Sequence, residues 1–161
     1  IIRGVRVVSL KNCKKIIVAV DFSGDSKEAL SEGLTLAKMT GADVILHHVV
    51  HDLADQPGFY HKKKDKKKSI HLMTDAATDM MVEFVKKSGA ATSAKKAKIK
   101  LSTSISKGLP HDELIKVAKK VKADAIVVGT SGPGGLTKFL LGSTAQRVVQ
   151  MAKIPVIVVR K

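Results

Sequence analysis

At 161 residues, with 44% hydrophobic side chains and no Trp, the chain is long enough for one domain with a substantial core. Its one cysteine, Cys13, excludes an internal disulfide framework, and Arg3, Arg6 and Lys11 interrupt the apolar stretch that a secretory signal would need. No apolar run approaches the roughly 20 residues that span a bilayer, so the expectation is a cytoplasmic protein without a membrane partner. Basic residues outnumber acidic ones 29 to 14, a net charge of +15 that attracts polyanions and says little about fold.

In chain order, residues 1–13 read as a basic and apolar N-terminal extension, with strand-like Ile1-Ile2 and Val5-Arg6-Val7-Val8, ahead of a domain over 14–161. Lys15 to Val20 is a β-branched run, predicting a buried first strand that ends at Asp21. Asp25-Ser26-Lys27-Glu28 opens a helix whose Leu30, Leu34 and Ala37 share a face, and Gly41 closes it. Asp43 to Val50 is the second strand. From His51 to Ser69 the periodicity vanishes, and the lysine run Lys62 to Lys68 predicts a mobile, solvated loop. Ile70, Met73, Ala77, Met81 and Phe84 then mark an amphipathic helix ending near Gly89. Ala97 to Ser106 is the third strand. Pro110 starts a helix with Asp112 and Glu113 in its first turn and Leu114, Ala118 and Val121 inward. Ala123 to Gly129, Ser143 to Ala152 and Ile154 to Val159 are strand, helix and strand. Such alternation predicts an α/β fold with a parallel sheet covered on both faces, whose ligand sits beyond the carboxyl ends of the strands. Asp21, Val49 and Gly129 all lie at such ends, so one ligand could touch all three.

The most informative stretch is Gly129-Thr130-Ser131-Gly132, nine residues, then Gly142-Ser143. A strand, a glycine-rich loop and a helix start in that order make an anion site, because the first-turn N–H groups lack intrahelical acceptors and the helix dipole adds positive potential. A Walker loop is excluded, since no Gly-Lys-Ser/Thr triplet occurs, and Thr137 stands where a dinucleotide motif begun at Gly132-Pro133-Gly134 needs its third glycine. Ser143-Thr144-Ala145-Gln146 also reads as a capping box with Ser143 as N-cap, its hydroxyl serving either the helix or a phosphate. The plainer alternative is a loop of turn glycines followed by a capped helix.

Gly-x2-Gly-x9-Gly-Ser/Thr after the fourth strand resembles the ATP-binding branch of the universal stress protein (UspA-like) family. Val18-Ala19-Val20-Asp21-Phe22-Ser23, His48-Val49, Gly108-Leu109-Pro110-His111-Asp112-Glu113-Leu114 and Pro155-Val156-Ile157-Val158-Val159 support the resemblance over residues 14–161. It implies an open five-stranded parallel sheet in order 3-2-1-4-5, adenine-nucleotide alpha-hydrolase-like, and a homodimer paired through strand five. It further implies that Asp21 contacts ribose or a phosphate-bound Mg²⁺, and that Val49 main-chain groups read the adenine edge. Gly129, Ser131 and Gly132 would run along ribose and phosphates, and Gly142, Ser143 and Thr144 would hold the phosphates of ATP or another adenine nucleotide. Asp21 has an alternative role as a cap on the turn that follows it. Ser131 stands where many relatives carry His or Arg, and Lys138 offers the loop either charge or an ordinary solvated side chain. Strand five, apolar on both faces and carrying Pro155, suits an edge covered by a twofold mate or by the N-terminal extension.

Catalytic readings are weaker. Ser23-Gly24-Asp25-Ser26 only partly matches the Ser-Gly-Gly-x-Asp-Ser loop of nucleotide-alpha hydrolases. His47-His48-x-x-His51 has metal-like spacing, but adjacent strand residues face opposite ways. No nucleophile has a His partner in the pattern, so ATP hydrolysis, if any, would be slow. The expected function is a nucleotide-dependent regulatory stress-response dimer. The competing reading is a nucleotide-independent scaffold that uses the basic surface for non-specific nucleic-acid binding.

Overall fold

The computed structural model describes residues 10–51, 63–130 and 141–160. Five parallel strands form one sheet: β1 (Lys15–Ala19), β2 (Asp43–His51), β3 (Leu101–Gly108), β4 (Ala125–Gly129) and β5 (Val156–Val159). Their order is β3-β2-β1-β4-β5, as the family resemblance implies. The connecting helices are α1 (Gly24–Thr40), α2 (Lys63–Ser88), α3 (Ala90–Lys96), α4 (Pro110–Val121) and α5 (Ser143–Met151).

The central strand β1 reads Lys-Ile-Ile-Val-Ala, and Ile16, Ile17 and Val18 are fully buried because helices cover both of its faces. Ile16 and Val18 point into one core with Leu30, Leu34, Val44, Leu46 and Met81; Ile17 points into the other with Ile126, Leu114, Ala118 and Val148. Leu10 packs against the first of these cores, and Cys13 is buried in it. Among the described residues, no helix is long and apolar enough to cross a membrane.

Three elements depart from the sequence reading. The run expected as a mobile loop is helical from Lys63, so α2 begins seven residues before Ile70. Lysine is a good helix former, and neither Gly nor Pro interrupts 63–88; apolar periodicity reports which turns are buried, not where a helix starts. Between α2 and β3 lies the helix α3, to which the sequence reading assigned no element, and the third strand starts at Leu101 rather than at Ala97. Gly89, at φ 67°, breaks the helical path, and Ala90 and Ala94 of the new helix are buried. Finally, Ser143 is the first residue inside α5 rather than its cap; Gly142 occupies the cap position and no side chain caps this helix.

Candidate functional site

The chain runs β1 to β2 to β3 in one direction across the sheet, then returns to place β4 and β5 on the other side of β1. The carboxyl ends of β1 and β4 therefore diverge into a crevice, the position at which parallel sheets bind ligands. Among the described residues this crevice is a cavity of about 290 Å³.

Its β1 wall is built by a tight turn. Asp21 Oδ1 accepts the Ser23 backbone N–H at 2.9 Å and the Ser23 hydroxyl as well. Phe22, between them, adopts a left-handed φ of 65°. Ser23 Oγ in turn accepts the Ser26 N–H at 3.2 Å and so caps α1. Asp21 thus holds the turn, as its alternative reading predicts, while also lining the cavity.

The β4 wall is organised by Thr130, whose main chain and side chain are all engaged. Its N–H donates to Val159 O at 2.8 Å, its hydroxyl to Asp25 Oδ2 at 2.8 Å, and its carbonyl accepts the Gly142 N–H at 2.7 Å. The last bond joins the end of β4 to the cap of α5. Gly129 precedes it, and a Cβ there would lie 2.8 Å from Asp25 Cβ and 3.0 Å from the Asp25 carbonyl carbon. Glycine at this position lets the first turn of α1 sit against the end of β4.

The α5 wall consists of Gly142, Ser143, Thr144 and Ala145. First-turn N–H groups have no acceptor inside a helix, and with no side-chain cap they and the dipole face the cavity.

Two histidines complete the β2 side, and both line the cavity. His47 is 1% exposed; its Nδ1 lies 3.0 Å from Ser104 Oγ and its Nε2 3.2 Å from Ser106 Oγ, both on β3. Burial, followed by the neighbouring His48, lowers its pKa to about 4, against smaller opposing effects of Glu113 and the Ser104 bond. His48 faces the other way: its Nδ1–H donates to Val20 O at 2.7 Å, and its ring packs on Phe22 at 4.5 Å, which in turn meets Phe84 edge-on. The strand alternation read from the sequence therefore holds, and the two rings serve different neighbours. Among the described residues no group of three or more metal-ligating side chains forms.

Of the site residues expected from sequence, Asp21, Val49, Gly129, Gly142, Ser143 and Thr144 all line this one cavity. Ser131, Gly132 and Lys138 lie outside the described residues. Ser26, His47, Leu114 and Thr130 also line it and were not anticipated. Only strand register could have found His47, because its partners lie fifty-seven and fifty-nine positions away.

The sequence profile of the Universal stress protein family matches residues 12–160. The chain belongs to that family. A universal stress protein of Methanocaldococcus jannaschii is 33% identical over 154 residues, spanning 92% of this chain and 82% of the relative. The universal stress protein UspA from Lactobacillus plantarum superposes with a TM-score of 0.76 at 28% identity, covering 92% of this chain and 99% of that one. A universal stress protein from Archaeoglobus fulgidus, solved with dAMP, has a TM-score of 0.59 at 23% identity, covering 92% of this chain and 98% of its own. Another universal stress protein, solved with cAMP, gives 0.58 at 23% identity, with 92% and 97% covered. At that identity the last two share the fold with this chain, and their ligands are properties of those proteins.

Proposed function

We propose that this universal stress protein binds an adenine nucleotide, ATP being the reading its loop favours, in the crevice between β1 and β4, and acts as a nucleotide-dependent regulatory dimer. The single observation that carries the reading is the convergence of Gly142, Ser143 and Thr144 at an uncapped helix N-terminus on the cavity that Asp21 and Val49 also line. An uncapped N-terminus facing a cavity suits a phosphate. The nucleotide complexes of two relatives of the same fold support the choice of ligand class. Ser131 and Gly132 would continue the phosphate contacts, and Val49 main-chain groups the adenine contact.

Mg²⁺ fits the reading through one carboxylate. It binds by one or two carboxylates plus substrate phosphates and keeps several waters, so Asp21 alone is sufficient protein ligation. Asp21 Oδ1 is engaged by Ser23, which holds the carboxylate of this cavity-lining residue in place. That same engagement, with His48 Nδ1 committed to Val20 O, favours binding over fast hydrolysis.

The dimer would form on β5. Among the described residues this strand pairs only with β4, leaving its other edge without a strand neighbour, and Val158 is 37% exposed. Pairing with a twofold mate would cover that edge.

The test is calorimetric titration with ATP and Mg²⁺ of the wild type and of Ser143→Glu. A glutamate in the first turn of α5 is compatible with the helix dipole but repels phosphate. Saturable binding of one nucleotide per chain, weakened at least about tenfold in the variant by a like charge near the phosphates, is the expected result. No binding by the wild type to ATP, ADP or AMP would overturn the reading.

A further inference from the structure

We propose that the opposite pole of the sheet, at the amino ends of the strands, is a binding surface for the phosphodiester backbone of duplex nucleic acid. It is separate from the nucleotide cavity, and it stands whether or not that cavity is filled.

The parallel topology creates this pole. Each strand-to-strand connection returns along the sheet, so the helix that leads into a strand ends where that strand begins. The last turn of α1 carries Lys38, that of α3 Lys95 and Lys96, and that of α4 Lys119 and Lys120. All are exposed. A helix dipole accounts for cations in a last turn, and alone would make these five ordinary.

The connectors add what the dipole does not explain. Lys14, Lys98, Lys100, Lys122 and Lys153 lie at or just before the starts of β1, β3, β4 and β5, and all are exposed. Two of them stand in strained backbone: Lys98 at φ 56° and Lys122 at φ 55° are two of the three non-glycine residues with positive φ among those described. Glycine or Asn would fit either position with less strain, so lysine there costs some stability.

Negative charge at this pole is sparse. Asp124 Oδ2 accepts the backbone N–H groups of Lys14 and Lys15 at 2.8 and 3.0 Å, so its carboxylate serves the chain entry. Asp43, half-buried, starts β2. The ammonium groups form a broad cationic surface on both sides of the sheet.

Its shape favours a duplex. Five strands at about 4.8 Å spacing give an edge of about 20 Å, a length over which a duplex presents about twelve phosphates. The described residues at this pole include no aromatic side chain on which a single-stranded base would stack, and lysine on a two-dimensional surface matches phosphates without reading bases.

The experiment measures anisotropy of a labelled mixed-sequence 24-base-pair duplex across a KCl series. One variant removes four pole charges while respecting the backbone, as Lys98→Asn, Lys100→Gln, Lys119→Gln and Lys122→Asn. A control variant removes four from the far end of α2, as Lys63→Gln, Lys64→Gln, Lys66→Gln and Lys67→Gln. Thermal unfolding verifies that both remain folded. The pole variant should bind at least about tenfold more weakly at 100 mM KCl, with the slope of log K against log salt reduced by about 3 to 4; the control should stay within about threefold. Equal losses in both variants would mean that net charge alone drives binding and would overturn the proposal. So would unchanged binding by the pole variant, or wild-type binding to phosphatidylserine vesicles but not to the duplex.

Discussion

Thr130 donates its hydroxyl to Asp25 Oδ2 at 2.8 Å, joining the end of β4 to the first turn of α1 across 105 residues of sequence. The same residue's carbonyl holds the Gly142 N–H, so the bond also fixes the cap of α5. Thr130→Val keeps shape and removes the hydroxyl. We expect a loss of about 1 to 2 kcal/mol in urea unfolding, together with weaker nucleotide binding because the cap of α5 is no longer anchored. Wild-type stability in T130V would show that the contact carries no energy.

Gly129→Ala tests the packing just before it. The added methyl would meet Asp25 at 2.8 to 3.1 Å, against side-chain Cβ and main-chain atoms that have little freedom to retreat. Overpacking of this kind costs about 1 to 3 kcal/mol. A crystal structure of the variant should show α1 displaced from β4, and an undisplaced helix with full stability would contradict the account.

His47 gives stability a pH dependence. Its folded pKa of about 4 lies below the ordinary 6.5, so between these values the unfolded chain binds the extra proton. Stability from this group is therefore full above pH 6.5, falls as pH drops toward 4, and levels off below it. The full span is worth up to about 3 kcal/mol. Urea unfolding at pH 4.5 and 7.5 measures it, and His47→Gln should flatten that part of the profile. An equal slope in wild type and variant would place the titration elsewhere.

The β5 edge yields a test of assembly. Val158→Lys puts a charge on an exposed position of that strand without touching either core. If β5 pairs with its mate, light scattering after size exclusion should find a dimer in the wild type and a monomer in the variant. A wild type that stays monomeric at about 100 μM, well above a micromolar Kd, would favour an edge covered by the N-terminal extension.

Much of the fold was legible because parallel strands are local signals. The β-branched runs at Lys15, Asp43 and Ala125 are bounded by polar turns, and Leu30, Leu34 and Ala37 recur at helical spacing. The first turns of α2 were not legible, since exposed lysines carry no burial pattern. Nor was α3, a helix of only seven residues whose two buried alanines are too few to establish a period.

The same division runs through the site. Asp21, Val49, Gly129 and Gly142 could be named from sequence because each stands at the end of an element, and element ends are written in turn residues and apolar limits. The sequence by itself determined the family, the strand order that the family implies, and six of the residues that line the cavity. Only the tertiary structure decided that Thr130 ties four elements together, that His47 is neutral between two serines, and that lysines scattered from position 14 to 153 share one pole. Those facts depend on strand register and helix direction, which bring together residues far apart in the chain, and no local pattern encodes them.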